Sequence, residues 1–360
     1  MASIPRMLCL VVSFPILFLL SGCIDRSVII TGCEAVADKT PLCGWQRPED
    51  MELLPDGKTL IVSEMAKGHG EVPGALSLLD TISGSKQALP MAVANKEFWG
   101  ESGCRRPVDK IAPHGIHLST RADGRLQLLV VNHGERESVE MYEVHTPEHR
   151  LTWRGCAQPP QGSFLNDVVA LPEGGFVTTH MYTKGDAAVG TMSFEEVKAL
   201  LGFNPGYLLM WNGQSFRRLG DFSGNYPNGV QISPDGRFLF VNLWAESLVK
   251  KVDRQSGEVI GEAQVSHPDN SQWDGDGKLL VTGHDFSIND LLVCPGLEEG
   301  TCPGDFEVVE LDAHSMQTRP LRRIGGAPMG AGTVTQRVGD TWYIGSFLGD
   351  RVLMLPAPNQ

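Results

Sequence analysis

The sequence lacks the signatures of several common enzyme mechanisms. It contains no Gly-x-Ser-x-Gly motif, so a serine nucleophile on a strand-to-helix turn has no support. The glycine-rich stretch GGAPMGAG, at 325–332, lacks both the strand–loop–helix setting and the lysine of a phosphate-binding loop. None of the cysteines shows the CxxC spacing of a zinc site. These absences argue against a covalent serine hydrolase, a nucleotide enzyme of the phosphate-loop type and a structural zinc protein.

Positive charge and long apolar runs are also scarce. The 30 Lys and Arg residues are outnumbered by 43 Asp and Glu, and the net charge of −13 argues against a nucleic acid as partner. Beyond residue 23 no apolar segment has the length of a membrane-spanning helix. What the chain does contain is 41 glycines and 23 prolines spread along its length, which indicates many turns. An apolar content of 41% is sufficient for a sizeable core.

The N-terminal segment predicts export. It combines the basic Arg6 with an apolar run and then small residues, as in a signal peptide. Its ending, LSGC, resembles the cleavage box of bacterial lipoproteins. That resemblance implies that Cys23 becomes the lipidated N-terminus of a membrane-anchored protein on the periplasmic or cell-surface side. The alternative is an ordinary cleaved signal with a chance cysteine. We therefore expect a signal peptide at 1–22, a linker at 23–44 and the folded domain at 45–358.

The remaining cysteines are even in number, as expected for an exported protein that meets oxidising conditions. They are Cys33, Cys43, Cys104, Cys156, Cys294 and Cys302. The connectivity of six cysteines is not deducible from sequence in general. We expect Cys294–Cys302, which would close a short loop, together with Cys33–Cys43 and Cys104–Cys156.

A hairpin pattern recurs six times along the chain. Each copy has a β-prone run, a glycine-containing turn and a second β-prone run. The turn glycines are Gly57, Gly124, Gly174, Gly236, Gly277 and Gly339. Six units of about four strands predict an all-β, six-bladed β-propeller with four-stranded blades. Two stacked β-sandwiches are the alternative, but they do not explain why the same turn repeats. Ser193 and Glu196 form a capping-box pattern that predicts a short helical insert in blade three.

Oxygen-bearing side chains occur at one position of this repeat. The residues eight positions before the turn glycines are Glu49, Ile116, Asn166, Asn228, Asp269 and Ala331. Asp50, Asp167 and Asn270 stand directly beside three of them. Because the first strand of each blade lines the channel of a propeller, we expect these side chains to converge on one place. Carboxylate and amide oxygens suit a hard cation, and calcium, which takes six to eight oxygens, fits best. The alternative is that these residues cap local backbone in turns.

Histidines form a second predicted layer. His114 comes just before the first strand of its blade and His133 ends the second, so the hairpin brings both to one rim. His180 and His284 occupy similar strand ends in other blades. An imidazole titrates near neutrality, so a histidine pair beside a metal could act as general base on water. The alternative for any single histidine is a satisfied polar residue in a turn.

These residues together resemble the serum paraoxonase/arylesterase group of six-bladed propellers, and more distantly the gluconolactonases and strictosidine synthases. The resemblance rests on the order of six stretches from Glu49 to the C-terminus. They are PEDMELLPDG, APHGIHLS, LLVVNHGERESVEMYEV, LNDVVALPEGG, YPNGVQISPDGRFLFV and HPDNSQWD with GKLLVTGH. The cysteine pair that joins the two ends of that family's propellers has no counterpart here. Closure is therefore expected to depend on strand pairing or on a different bridge.

The resemblance implies two calcium ions in the channel. The catalytic ion would be held by Glu49, Asn166, Asn228, Asp269 and Asn270. The structural ion would be held by Asp50, Asp167 and the backbone carbonyl of Ile116. The implied activity is hydrolysis of lactones and of aryl or carboxylic esters, with His114, His133 and His284 as catalytic residues. Two other hypotheses remain open at this stage: a lipid-anchored binding module with structural calcium, and a sugar lactonase of the gluconolactonase type.

Overall fold

Six sheets arranged around a central channel make up the molecule. The computed structural model describes residues 29–66, 72–94, 96–106, 111–146, 148–185, 192–274 and 277–358. The expected signal peptide and Cys23 lie outside the described residues. In each sheet the innermost strand faces the channel and successive strands pair outward, so the predicted six-bladed β-propeller is confirmed. No helix of the described residues is both long and apolar enough to cross a lipid bilayer.

The strands follow the chain blade by blade, except that the first strand joins the last blade. That strand is β1 (Thr40–Cys43). Blade one comprises β2 (Pro48–Leu53), β3 (Thr59–Glu64), β4 (Ala75–Asp80) and β5 (Lys86–Ala88). Blade two comprises β6 (Met91–Val93), β7 (Pro113–Thr120), β8 (Leu126–Asn132), β9 (Ser138–His145) and β10 (Arg150–Ala157). Blade three comprises β11 (Ser163–Ala170), β12 (Phe176–Thr183), β13 (Tyr207–Trp211) and β14 (Phe216–Arg218).

The second half of the chain repeats this arrangement. Blade four comprises β15 (Pro227–Ile232), β16 (Phe238–Leu243), β17 (Leu248–Asp253) and β18 (Val259–Gln264). Blade five comprises β19 (Pro268–Trp273), β20 (Lys278–Asp285), β21 (Asp305–Asp312) and β22 (Thr318–Ile324). Blade six comprises β23 (Gly332–Val338), β24 (Thr341–Ser346), β25 (Arg351–Pro356) and β1. Blade two differs from the others by a fifth strand, because β6 pairs in parallel with β10 at its outer edge.

Two short helices accompany the strands. The first, α1 (Phe194–Leu200), lies between β12 and β13, so the predicted insert in blade three is confirmed. Ser193 caps it by accepting a hydrogen bond from the backbone N–H of Glu196 at 3.1 Å. The second, α2 (Ile288–Val293), lies in blade five and was not predicted. Ser287 and Asp290 form a capping box at its start, a sequence signal that was available but unused.

The local reason for the repeat lies in its turns. All six predicted turn glycines adopt positive φ angles, between 58° and 98°. This region of backbone space costs little only for glycine, so each glycine fixes where one strand ends and the next begins. Apolar side chains of neighbouring sheets then interlock: Ile61 and Leu78 of blade one pack with Leu128 and Val130 of blade two. Burial of side chains of this size stabilises a fold by about 1.5–3 kcal/mol each.

Strand pairing closes the propeller. β1 pairs antiparallel with β25, from Thr40 opposite Met354 to Cys43 opposite Arg351. Residues 40–43, which the sequence placed in the linker, therefore form the outer strand of blade six. The Arg351 side chain is buried and donates hydrogen bonds to the carbonyls of Ile30 and Pro328, which ties the preceding segment to the same blade.

The cysteine expectations are confirmed. The structure contains the disulfides Cys33–Cys43, Cys104–Cys156 and Cys294–Cys302. Each is local to one region of the propeller rather than a bridge between the two ends of the chain. The pairing of β1 with β25 thus closes this propeller without a disulfide between its two ends.

Candidate active site and metal centre

A bulge in the innermost strand positions the candidate ligands. In every blade the pairing of the first strand with the second skips one or two residues near the channel mouth. A bulge re-aims side chains away from the regular alternation of a strand. The skipped residues are Glu49; His114 and Gly115; Asn166 and Asp167; Asn228 and Gly229; Asp269 and Asn270; and Thr333 and Val334.

This register corrects two of the six ring positions taken from the sequence. In blade two the bulge holds His114, ten residues before Gly124, and Ile116 is paired with Val130. In blade six the bulge holds Thr333, six residues before Gly339, and Ala331 precedes the strand. The cause is that the distance from bulge to turn differs by two residues in these blades. Ile116 and Ala331 are therefore not equivalent to Glu49 in position.

The upper part of the channel mouth gathers five of the candidate side chains. Asn270 Nδ2 donates to Glu49 Oε1 at 2.7 Å across the channel, and Asn228 donates to Asp269. All of these side chains, with Asn166, are at most 6% exposed. Within the described ranges, four of their oxygen atoms are buried without a hydrogen-bond partner: Glu49 Oε2, Asn166 Oδ1, Asn228 Oδ1 and Asn270 Oδ1. Buried polar atoms are normally paired, so four unpartnered oxygens in one ring are the donor set that a hard cation requires.

Negative charge accumulates in the same place. Burial raises the pKa of Glu49 well above its usual value, and the carboxylates of Asp50 and Asp269 raise it further. The pKa of Asp269 is raised well above its usual value by burial and then by Asp50. Carboxylates at this proximity cannot all ionise without a counter-charge. Both the unpartnered oxygens and the crowding of acids therefore fit a bound cation.

A second acidic pair lies directly beside this ring. Asp50 accepts a hydrogen bond from the N–H of Ile116 at 2.8 Å, and Asp167 accepts one from the N–H of Val230 at 2.8 Å. Each carboxylate thus bridges to the innermost strand of the next blade. Burial raises the pKa of Asp50 to about 7, and that of Asp167 well above its usual value. The contact to Ile116 is through its amide N–H.

His114 and His133 lie in direct contact, and a third residue completes the arrangement. His114 Nδ1 is 2.9 Å from His133 Nε2, and His133 Nδ1 is 2.9 Å from Glu137 Oε1. Glu137 also accepts the N–H of Leu165 at 2.8 Å and faces Lys184 Nζ at 3.4 Å, so its oxygens act as acceptors. Sequence reasoning missed Glu137.

The hydrogen-bond directions in this relay determine one tautomer. His133 donates from Nδ1 to Glu137, so its Nε2 accepts from His114 Nδ1. The remaining lone pair of His114 is therefore on Nε2, which accepts a long hydrogen bond from Asn166 Nδ2 at 3.4 Å and lies 3.9 Å from Glu49 Oε1. Burial lowers the pKa of His114 well below its usual value, which keeps the ring neutral. A neutral imidazole with its free nitrogen at the ligand ring can accept a proton from a water there.

The other two predicted histidines differ in position. His284 lines the cavity with its Nδ1 3.0 Å from Trp244 Nε1, which donates to it, and its Nε2 3.4 Å from Asp269 Oδ2. Burial lowers the pKa of His284 to about 3. His180 instead stacks on Tyr207, with ring centroids 4.2 Å apart, and is not among the residues that line the cavity.

A cavity of about 530 Å³ opens above the ligand ring. Its walls are largely apolar and include six aromatic side chains: Phe164, Tyr182, Tyr226, Trp244, Phe286 and Phe347. Helix α1 covers one side, and Glu196 on this helix accepts a hydrogen bond from the Tyr226 hydroxyl at 3.0 Å. Sequence reasoning did not identify these walls. They surround the candidate base and ligands with apolar surface.

One sequence signal could have located part of the wall. Three cavity residues stand directly before a proline that precedes a ring residue: Arg47, Tyr226 and His267. All three have positive φ, of 45°, 58° and 36°. A residue before proline favours extended backbone, so this conformation is strained. In these three blades the residue before the proline therefore turns its side chain into the cavity.

A family model and a curated protein match much of this chain. A family model described as arylesterase matches residues 46–336. Serum paraoxonase/arylesterase 1 of Homo sapiens is 27% identical over 211 residues, which is 57% of this chain and 54% of that protein. The chain thus spans about half the length of this curated relative.

Solved structures give a match over most of the chain. A gluconolactonase of Xanthomonas campestris superimposes with a TM-score of 0.50 at 16% identity, covering 89% of each chain. A luciferin-regenerating enzyme superimposes with a TM-score of 0.53 at 12% identity, covering 88% of this chain and 93% of that one. At such low identity the likeness supports the fold alone.

Proposed function

Because the chain belongs to the arylesterase family, we propose that it is a calcium-dependent hydrolase of lactones and of aryl or carboxylic esters. The observation that carries the proposal is the ring of four unpartnered buried oxygens beside a histidine whose free nitrogen faces them. The aromatic cavity above the ring has room for a small ester or lactone. Water, ester and a general base would meet at the channel mouth.

The residues present fit two ions. Glu49, Asn166, Asn228, Asp269 and Asn270 would hold the upper one, since they supply the unpartnered oxygens and two carboxylates. Calcium bound there supplies Lewis acidity, which polarises a substrate carbonyl and favours the oxyanion that forms on attack.

The lower ion would be structural. Asp50 and Asp167, with the carbonyl of Ile116, would hold it between blades. The support is the raised pKa of both buried carboxyl groups, which indicates that neither is paired with a cationic side chain. Each of these carboxylates also accepts a backbone N–H group of the next blade, so an ion held there would join neighbouring blades.

The protein's own proton transfers would run through the histidine relay. His114 Nε2 would take a proton from a water as the water oxygen attacks the carbonyl carbon, and His133 would stabilise the resulting imidazolium. As the C–O bond of the ester breaks, the imidazolium would give this proton to the leaving oxygen. Glu137 is a positioning residue, because it holds the tautomer of His133 and touches no substrate. His284, hydrogen-bonded to Trp244, lines the cavity and restricts where the substrate can lie.

The proposed cellular setting follows from the N-terminal segment. An export signal ending in LSGC would place the enzyme outside the cytoplasm, anchored to a bacterial membrane through a lipid on Cys23. Three disulfides in the folded part support an oxidising compartment. Labelling with a radioactive fatty acid, lost in a Cys23→Ser variant, would test the anchor.

Chelation gives the direct test of function. Purified protein should hydrolyse phenyl acetate or a γ-lactone, lose this activity in excess chelator and regain it with calcium. Thermal unfolding followed in parallel should show that chelation also lowers Tm, because an ion that binds only the folded state stabilises it. Full hydrolysis in the presence of chelator, at unchanged Tm, would contradict the proposal.

A binding module with structural calcium predicts a different result. It would also lose stability on chelation, but it would hydrolyse neither substrate class. The Glu137–His133–His114 relay favours the enzyme, because a rigid scaffold has no use for an oriented imidazole at the cavity floor. A sugar lactonase would be recognised by a preference for hydroxylated lactones over phenyl acetate.

A further inference from the structure

We propose that the natural substrate carries a second, anionic group, a carboxylate or a phosphate, which pairs with Arg47 in the cavity. This inference rests on the proposed hydrolysis and adds the class of substrate. It concerns a lactone or ester with an oxyanion a few bonds from the scissile carbonyl. The reaction at that carbonyl is unchanged, and the anion is neither formed nor consumed.

The backbone fixes Arg47 at the cavity. Its N–H donates to the carbonyl of Gly349 at 2.9 Å, and its carbonyl accepts from the N–H of Met65 at 2.9 Å. It is thus held between blade six and blade one. Its φ of 45° is strained for a residue before proline. Only two positions further on, Glu49 contributes to the ligand ring, and both residues line the same cavity.

The Arg47 guanidinium is unpaired within the part of the chain that the structure describes. No described residue forms a hydrogen bond or ion pair with the Arg47 side chain, although burial lowers its pKa. Arg351 shows how the same fold satisfies a buried structural arginine, with Asp350 and the carbonyls of Pro328 and Ile30 around it. A half-buried cation without such partners lowers the stability of the folded protein unless a ligand supplies the missing hydrogen bonds and counter-charge.

The acids in the cavity do not supply that partner. Glu49 accepts from Asn270, Glu196 from Tyr226, and Asp290 caps α2. Asp269 lies against His284 and Asn228. Apart from histidines, Arg47 is the one basic residue among the described residues that line the cavity.

The guanidinium geometry selects the chemistry of the ligand. It presents a planar fork of N–H donors that matches the two oxygens of a carboxylate or phosphate. An uncharged carbonyl could accept one hydrogen bond but would leave the charge uncompensated in apolar surroundings. An oxyanion on the substrate satisfies both requirements, because it accepts two bonds and neutralises the charge.

The test compares matched lactones. A γ-lactone with a ring carboxylate, the same lactone as its carboxamide, and a phosphorylated hydroxymethyl lactone with its unphosphorylated form are assayed for kcat/KM. The wild-type protein should favour one anionic form over its neutral counterpart by at least about tenfold, as expected for a charge-assisted pair. The pair that shows the preference identifies carboxylate or phosphate.

Substitution then assigns the preference to Arg47. In Arg47→Met the anionic-to-neutral ratio should fall by about 10- to 100-fold, and Arg47→Lys should keep an intermediate ratio, since it retains charge but not the fork. Arg237→Met, at an exposed arginine far from the cavity, is the matched control and should leave the ratio unchanged. Circular dichroism checks that each variant folds.

The outcomes separate this inference from the proposed function. Wild-type hydrolysis of neutral lactones with no preference for either anionic form would overturn the role of Arg47 and leave the hydrolase proposal standing. The same conclusion would follow if the preference survived in a folded Arg47→Met protein. Failure to hydrolyse phenyl acetate or any of the four lactones, with or without calcium, would overturn both.

Discussion

Glu137 determines which nitrogen of His114 is free to accept a proton. The carboxylate accepts a hydrogen bond from His133 Nδ1 at 2.9 Å. His133 Nε2 in turn accepts one from His114 Nδ1 at 2.9 Å. Without the carboxylate, His133 could adopt its other tautomer. His114 could then carry its proton on Nε2, the nitrogen that faces the ligand ring. Glu137 therefore acts on the substrate indirectly, through the two imidazole rings of His133 and His114.

We expect Glu137→Gln to lower kcat by about 100-fold, the size of a general-base contribution, while KM and calcium affinity stay within about twofold. Glu137→Asp should recover part of kcat, because the carboxylate is restored at a longer reach. Steady-state kinetics with calcium titration would measure this separation. A fall in calcium affinity equal to the fall in kcat would indicate a merely structural role for Glu137.

His180 gives a pH dependence that is separate from catalysis. Burial lowers its pKa to about 4, against 6.5 in an unfolded chain. Above pH 6.5 the group is neutral in both states and contributes nothing. As the pH falls from 6.5 towards 4, the unfolded chain takes up a proton that the folded chain does not, so stability is lost.

The variant His180→Phe should remove this loss, since phenylalanine can stack on Tyr207 but does not titrate. Between pH 7.5 and pH 4.5 the free energy of unfolding of the wild type should fall by about 2–3 kcal/mol more than that of the variant. Urea unfolding of both proteins at the two pH values measures the difference. Parallel pH profiles for the two proteins would exclude His180 as the titrating group.

The strand bulge is the element on which the site depends. Two of the bulges contain a glycine because neighbouring bulges approach closely: a Cβ on Gly115 would lie 2.6 Å from Asp167 Cα and 2.7 Å from Asn166 O. A side chain there would push apart the blades that hold the ligands. The same hairpin contains Gly124, whose Cβ position is open but whose φ is +81°.

Comparison of Gly115→Ala with Gly124→Ala separates crowding from backbone strain. Gly124→Ala should cost about 1–2 kcal/mol of stability and leave calcium-dependent activity in place. Gly115→Ala should lose most of that activity and most of the Tm gain from calcium. If calcium raised the Tm of Gly115→Ala by as much as that of wild type, the close approach would be irrelevant to the site.

At the scale of elements, much of the fold was predictable. The six turn glycines, the helix at Ser193 and the local disulfides follow from short-range patterns that the structure obeys. Counting from the turn failed in blades two and six. A strand can be two residues longer or shorter between bulge and turn without changing its hydrophobic pattern, so Ile116 and Ala331 replaced His114 and Thr333 in the count.

Parts of the site were not predictable for a different reason. Glu137 lies in a connection between strands, and nothing in its sequence context indicates that it faces His133. Phe286 and Phe347 come from blades five and six and meet only because these two blades pack side by side. The partners of such residues are determined by the relative placement of blades, which periodicity within one blade does not contain.

On the scale of the whole molecule, closure holds the ligand ring together. Glu49 of blade one and Asn270 of blade five are in contact across the channel, so the ring exists only if the last blade is joined to the first. That joint is β1 on β25, with Arg351 bonded to the segment before β1. A substitution that weakens the pairing of β1 with β25 should therefore also disturb the ligand ring.

We expect Arg351→Met to lower stability by about 2–4 kcal/mol, because it strands the carbonyls of Ile30 and Pro328 in a buried setting. The exposed pair Arg319–Glu310 is the control, and Arg319→Met should cost at most about 1 kcal/mol. Urea unfolding measures both. Calcium affinity should fall with the stability of Arg351→Met, and an unaffected affinity would indicate that the ring survives an open propeller.

The pairing of Thr40 with Met354 has an engineering consequence. These two residues, at opposite ends of the described chain, are neighbours in one sheet, so a short flexible peptide could join them covalently. New ends could then be opened at the exposed residues 255–256 in a turn of blade four, giving a circularly permuted protein. Since the ligand ring depends on how blades one, three, four and five are placed and not on their order of synthesis, a permuted chain should assemble the same ring.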